Sequence, residues 1–564
     1  MKEKDHIIPN LTDWPIAKFY NDRARIVDLL TSTTVDNIKS SANGDLAQIL
    51  NQTIYAEKIR VKTNPLNVDP PREYSYWAGL ESTMSKASVD ANGGKEVYDN
   101  AVKKVIHRYA EEIAGNFYPS TYNFASKALS WLFRIIYNPF AAKGQRPFWG
   151  SVSDLHKKIR IEGPIDHIRE LFDKGTVVIL PTHFSNLDSI MIGYAIAQLT
   201  GLPAFSYAAG LNLYDFEILA YYMSRLGAYK IDRRKKNPIY SQTIKQFSAL
   251  SILEGLNSIF FIGGGRARDG MLEKNIKLGL LSTLIDAQNE FYLRSFEKKI
   301  IVVPMVVSYH FVFEAESLIQ QHLRKLGKEN YLVKRGPNKT SLKTIRFIRR
   351  LFKSDTNVTI SFGKPIDVFG NELDKQGNSI KQGKFIDIRE YFKHQESVNI
   401  DRQRNRVYTR HLADTLVKSY KQENIVLSSH VVCFVAFQMF RKQYPNMEIY
   451  NLVNLPNDYF SIQVSNFCIQ LKQVVDELKQ LESQGEVKLS PEIVELQVED
   501  LLKDGIKNVN SYHFYAPLLW KKDVLICEDL RLLYFYHNRM SGYKLERIIE
   551  IEPIKTFKLK KAVF

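Results

Sequence analysis

Five short runs rich in β-branched and aromatic residues lie between residues 176 and 362: TVVIL (176–180), AYKI (228–231), SIFFI (258–262), IIVVPMVVSY (300–309) and VTISF (358–362). Between them come stretches with apolar residues at three-to-four spacing, namely LDSIMIGYAIAQL, NPIYSQTIKQFSALSILEG and IKLGLLSTLIDAQNEFY. A strand followed by a helical crossover re-enters its sheet in the same direction, so this alternation restricts the region to an α/β layer structure with a mainly parallel sheet. In such sheets ligands gather at the carboxyl ends of the strands.

The flanks lack the alternation. Residues 1–147 read as helical, most clearly in DLAQILNQTIYAEKIR and EVYDNAVKKVIHRYAEEIAG. The aromatic stretch KALSWLFRIIYNPF (127–140), stopped by Pro139, reads as a core helix, with an interfacial anchor as the alternative. From 373 to 564 the pattern is again mostly helical, RNRVYTRHLADTLVKSYKQEN and HVVCFVAFQMFRKQY being its clearest elements. Because 564 residues exceed one ordinary core, three regions are expected: 1–147, 148–372 and 373–564.

Composition limits the function classes. Apolar residues at 45% and charged residues at 25% are those of a globular protein, and no uninterrupted apolar run reaches the length of a membrane-spanning helix. The N-terminal MKEKDHIIPNLTDWP lacks the apolar centre of a signal peptide, so a cytoplasmic setting is expected. Cys433, Cys468 and Cys527 are widely spaced without a C-x-x-C pair, which argues against zinc or a disulfide framework. A net charge of +17 implies a polyanionic partner. Eleven Lys or Arg face one acid between His322 and Lys353, and within IRFIRRLFK the apolar Ile345, Ile348 and Phe352 recur at helical spacing, which suits a membrane surface. Nucleic acid is disfavoured, since no zinc finger, RNA-recognition signature or basic zipper accompanies the charge.

The chemistry-bearing residues follow the strands. His183 and Asp188 stand in HFSNLD, directly after TVVILP. On one continuous helix their side chains would diverge by about 140°, so they must flank a turn, with Ser185 or Asn186 capping a helix that begins near Leu187. A carboxylate on one imidazole nitrogen then leaves the other free to accept a proton from an alcohol. In LGAYKIDRR, Gly227 and Arg233 flank a strand, and a guanidinium there can grip phosphate. In IFFIGGGRARDG, Gly264 and Gly265 permit close approach of the backbone, and Arg266 and Arg268 follow at once. Pro304 interrupts a strongly apolar strand, as at an edge, bulge or break beside a cleft.

Taken in this order, HFSNLD, GAYKIDR, FIGGGRAR and VVPMVVSY resemble the four blocks of the glycerolipid acyltransferase superfamily. Gly264-Gly265 before Arg266, GAYKIDRR upstream, and Lys277 with Gly279 downstream look most like the glycerol-3-phosphate branch, in which helical regions flank the catalytic domain. The resemblance implies transfer of a fatty acyl group from acyl-CoA or acyl carrier protein to glycerol 3-phosphate, with no metal and no resident cofactor. His183 would be the general base and Asp188 its orienter. Arg233, Arg266, Arg268 and Lys277 would hold the acceptor, with Gly227, Gly264, Gly265 and Pro304 shaping its site. It implies a peripheral association with the cytoplasmic face of a membrane. Two alternatives remain: an acyltransferase acting on lysophosphatidate, or a catalytically weakened protein that binds lipid or acyl carrier. Two positions depart from the pattern. Gly263 stands where the family has glutamate, and Glu273 is one carboxylate that could replace it; His310 follows Tyr309 where related sequences often have an acid.

Overall fold

The computed structural model describes residues 4–41, 45–87, 94–137, 159–211, 214, 217–326, 358–456, 459–511, 513 and 515–551. The segment IRFIRRLFK and the boundary near 148 lie outside the described residues, as do the side chains of 127–140 from Trp131 onward.

The centre of the molecule is a seven-stranded sheet formed by β1 (Ile159–Glu162), β2 (Gly175–Pro181), β3 (Ser206–Gly210), β4 (Ala228–Ile231), β5 (Ser258–Ile259), β6 (Lys299–Tyr309) and β7 (Val358–Phe362). Their order is β1-β7-β6-β2-β5-β3-β4. All neighbouring strands run parallel except β6 and β7. The expected mainly parallel sheet is therefore present. Strands β2 and β6 are apolar on both faces because helices cover both, and their residues are almost all buried.

The strand reading differs in three places. Strands β1 and β3 were not legible, because IRIE is half polar and SYAAG lacks β-branched residues. Strand β5 covers only two residues of SIFFI. The amide of Phe260 still reaches Ile179 O, after which the chain turns into the glycine loop. Pro304 makes no break in β6: Leu180 and Pro304 are partners in the β2 ladder. On the other side the register slips by one residue between Met305↔Phe362 and the bridge Val302↔Ile366. Pro304 O accepts from Gly363 N, and this bulge accommodates the missing amide hydrogen.

The helix Pro238–Leu253 begins as its sequence suggests, with Asn237 as the cap accepting from Tyr240 N and Pro238 in the first turn. It packs on Leu278–Leu293 and on the N-terminal helices Arg23–Ser41 and Gly94–Ile113. The C-terminal helix Ser428–Gln443 is buried on nearly every side, among Val464–Ser483, Val498–Asn510 and Leu530–His537. One continuous set of buried apolar residues runs from Trp14 through the sheet to Ile549. Both flanking regions thus press on the sheet. Cys433 and Cys527 are buried, Cys468 is half-buried, and all three are free.

Candidate active site

His183 lies in the loop that leaves β2, and Asp188 opens the helix Asp188–Tyr194. Ser185, one of the two expected caps, accepts from Leu187 N through its Oγ at 3.2 Å, and the carboxylate of Asp188 also folds back over the loop. Its Oδ2 accepts from His183 Nδ1 at 2.8 Å, Phe184 N at 2.7 Å and Ser185 N at 2.9 Å, while Oδ1 accepts from Tyr309 Oη at 2.7 Å. Asp188 is fully buried. With four donors already directed at this carboxylate, the imidazole proton sits on Nδ1, and the lone pair is at Nε2. Nε2 has no protein partner among the described residues. The ring is also packed against Phe261, with centroids 4.2 Å apart.

Three further contacts fix the loop. His183 N donates to Glu273 Oε1 at 2.7 Å, His183 O accepts from Ala267 N at 2.7 Å, and Glu314 accepts from Asn186 N and Ser185 Oγ, each at 2.9 Å. Four consecutive amides, from His183 to Asn186, therefore each donate to a carboxylate. The bond from Ala267 matters most for placement, because Ala267 separates Arg266 from Arg268 and so ties the arginine loop directly to the histidine loop.

Arg233 reaches the same place from the end of β4. Its Nη1 lies 3.8 Å from the position a Cβ on Gly265 would take. Arg233 is exposed, and partial enclosure of its guanidinium, then the charges of Arg268 and Arg266, push its pKa below the ordinary arginine value. The positive charges of Arg268 and Arg266 thus act on Arg233. Lys277 joins them: its stem covers Gly264, where an added Cβ would come within 2.8 Å of Lys277 Cγ. Gly264 has φ +74°, a backbone conformation that favours glycine. Arg233, Arg268 and Lys277 have no acidic partner among the described residues, whereas Arg266 Nη1 pairs with Glu314 at 3.2 Å. A cluster of cations lacking counter-ions is a site for an anion such as phosphate.

The neighbours of Arg233 explain its direction. Arg234 turns into the N-terminal helices, donating to Asp69 at 2.6 Å and to Asp232 at 2.7 Å, and Lys235 pairs with Glu112. With those two charges anchored behind the strand, Arg233 is the basic residue left at the cleft. Two residues named from the sequence are elsewhere. Gly227, with φ +81°, is buried before β4 against Ile16 and Phe117, and its amide donates to Asn116 O at 2.8 Å. Pro304 is buried within the sheet.

Glu273 occupies the space opposite Gly263. A Cβ built on Gly263 would lie 2.9 Å from Glu273 Cγ and 3.3 Å from its Oε1. The residue keeps some surface, but its Oε2 is shut off from solvent and has no partner among the described residues. Burial pushes the carboxyl up to about 7, against the bond from His183 N and the charge of Arg539. His310 turns away from the cleft; its Nδ1 meets Ser429 Oγ at 3.1 Å, and burial lowers its pKa to about 4, leaving the ring neutral.

Tyr309, Glu314 and Arg539 were not singled out by the sequence. Arg539, from the C-terminal region, is buried and stacks 4.1 Å from the ring of Phe184. It donates to Asn424 Oδ1 at 2.7 Å, Val307 O at 2.8 Å and Ser308 Oγ at 3.1 Å. Burial lowers its pKa to about 10, opposed by Glu273, Tyr543, Asp188 and Tyr309.

Residues 158–308 match the family model described as Acyltransferase. The chain is 27% identical over 318 residues to a protein of Pseudoalteromonas translucida named glycerol-3-phosphate acyltransferase, covering 55% of this chain and 34% of that one. Proteins of the same name from Haemophilus ducreyi and Shewanella loihica are 26% and 27% identical over 287 and 263 residues, covering 51% and 46% of this chain and 31% and 29% of theirs. The chain thus spans about a third of the length of these relatives. The matched residues 158–308 include the loops that leave β2 and β5.

Proposed function

We propose that this chain is an O-acyltransferase that moves a fatty acyl group from an acyl thioester, acyl-CoA or acyl carrier protein, to a hydroxyl of glycerol 3-phosphate. The observation that best supports the reading is the 2.7 Å bond from Ala267 N to His183 O, which joins the loop carrying Arg266 and Arg268 to the loop carrying His183. The names of the relatives point to the same acceptor.

The phosphate is held by Arg233, Arg266, Arg268 and Lys277, which leaves a hydroxyl at His183. Nε2 takes the hydroxyl proton as the oxygen attacks the thioester carbonyl, and the imidazolium that forms is steadied by Asp188. The C–O bond forms, the C–S bond breaks, and Nε2 returns the proton to the departing sulfur. No covalent acyl-enzyme and no resident cofactor are needed. The product is an amphiphile, so the reaction belongs at the cytoplasmic face of a membrane, to which a chain of net charge +17 is drawn if the lipids are anionic. No described helix is long and apolar enough to cross a membrane.

The test is thiol release from acyl-CoA and from acyl carrier protein, each paired with glycerol 3-phosphate, dihydroxyacetone phosphate or lysophosphatidate. Release should require a phosphorylated acceptor and be fastest with glycerol 3-phosphate. His183→Ala should keep its circular dichroism and lose roughly 100- to 10,000-fold in turnover. Wild-type turnover in that variant would refute the mechanism.

A further inference from the structure

We infer that Glu314 is a positioning residue that links the phosphate-binding cations to the loop carrying His183, and that it does so at the expense of acceptor affinity. This rests on the proposed reading of the arginine cluster as the acceptor's phosphate site. Glu314 lies beyond residues 158–308, the matched domain, at the turn that precedes the helix Ala315–Leu326.

Its two oxygens join elements that are distant in sequence. Oε1 accepts from Asn186 N at 2.9 Å and from Arg266 Nη1 at 3.2 Å, and Oε2 accepts from Ser185 Oγ at 2.9 Å. Among the described residues it is the one acid paired with a member of the cluster. A guanidinium has five donors, so Arg266 can hold Glu314 through Nη1 and offer its other N–H groups to a phosphate. A phosphate drawing on Arg266 then acts, through the shared Oε1, on Asn186 N–H, three residues from the base. The same carboxylate repels the phosphate dianion and occupies part of Arg266.

Glu314→Gln separates these effects. Its amide oxygen can still accept from Asn186 N, while the negative charge disappears. The side chains of Arg266 and Glu314 are 26% and 21% exposed, so solvent screens the pair and the expected change is modest. Calorimetric titration with glycerol 3-phosphate at low salt should give a Kd lower by roughly two- to fivefold, and the difference should shrink in high salt. Glu314→Asp, which keeps the charge, should not tighten binding. Glu314→Ala, which leaves Asn186 N and Ser185 Oγ without an acceptor, should lower kcat at least about tenfold while KM does not rise. Measurable binding in the wild type with an unchanged or weaker Kd in Glu314→Gln would overturn the inference and leave the proposed function standing. No binding of acceptor to either protein would overturn the phosphate-site reading and the inference with it.

Discussion

Replacing Glu273 with glutamine should make the protein's stability respond differently to pH. In the folded state burial holds this carboxyl near 7, against 4.5 in the unfolded chain. The native protein therefore keeps a proton on Glu273 between pH 4.5 and 7 that the unfolded chain has released. Stability is fully present below about 4.5 and is lost as pH rises through 7. A displacement of about 2.5 pH units at about 1.4 kcal/mol each gives a total loss of roughly 3.5 kcal/mol, most of it above pH 4.5. Glutamine does not titrate. Its Oε1 can still accept from His183 N, and its amide nitrogen takes the place of the unpaired Oε2. An unpaired buried amide costs about 1–3 kcal/mol, but equally at every pH. The informative quantity is thus the slope and not the offset. Urea unfolding midpoints for both proteins from pH 4.5 to 8.5 should show the variant gaining on the wild type by roughly 3 kcal/mol, with the change levelling off above pH 8. A pH-independent difference would show that Glu273 is ionised throughout and that its enclosure has no energetic consequence.

Two further substitutions probe the cations. Arg233→Gln should raise the KM for glycerol 3-phosphate at least about tenfold with little change in kcat, since a charge-assisted phosphate contact is removed while His183 is untouched; an equal fall in kcat would place Arg233 at the reacting centre instead. Arg539→Met removes a buried positive charge that favours ionised Glu273, so the unfolding profile described for Glu273 should move to higher pH, whereas Arg539→Lys should move it less. An unchanged profile would show that the C-terminal region does not act electrostatically on the site.

Much of the site was legible because its parts are local. HFSNLD sets His183 and Asp188 five positions apart across one turn, and β-branched runs mark the strands on either side. The glycines and arginines of GGGRARDG are consecutive, so wherever β5 delivers its loop the two arginines arrive together. Gly227 misled because its positive φ serves the packing of Ile16 and Phe117 rather than the cleft. A glycine shows that space is scarce, not what fills it. At Pro304 the sequence left edge, bulge and break open, and the structure shows a bulge, formed with a strand more than fifty residues away in sequence.

From the sequence alone came the alternating layers, the strand ends that bear the chemistry, and the pairing of His183 with Asp188, all set by periodicity and by residues a few positions apart. The tertiary structure alone decided which distant groups complete the site. Tyr309 on Asp188, Glu273 on His183 N, Glu314 between the loop and Arg266, and Arg539 over Phe184 join residues 48 to 355 positions apart. No local pattern encodes such contacts, because they follow from the order of strands in the sheet and from the way the C-terminal helices close over it.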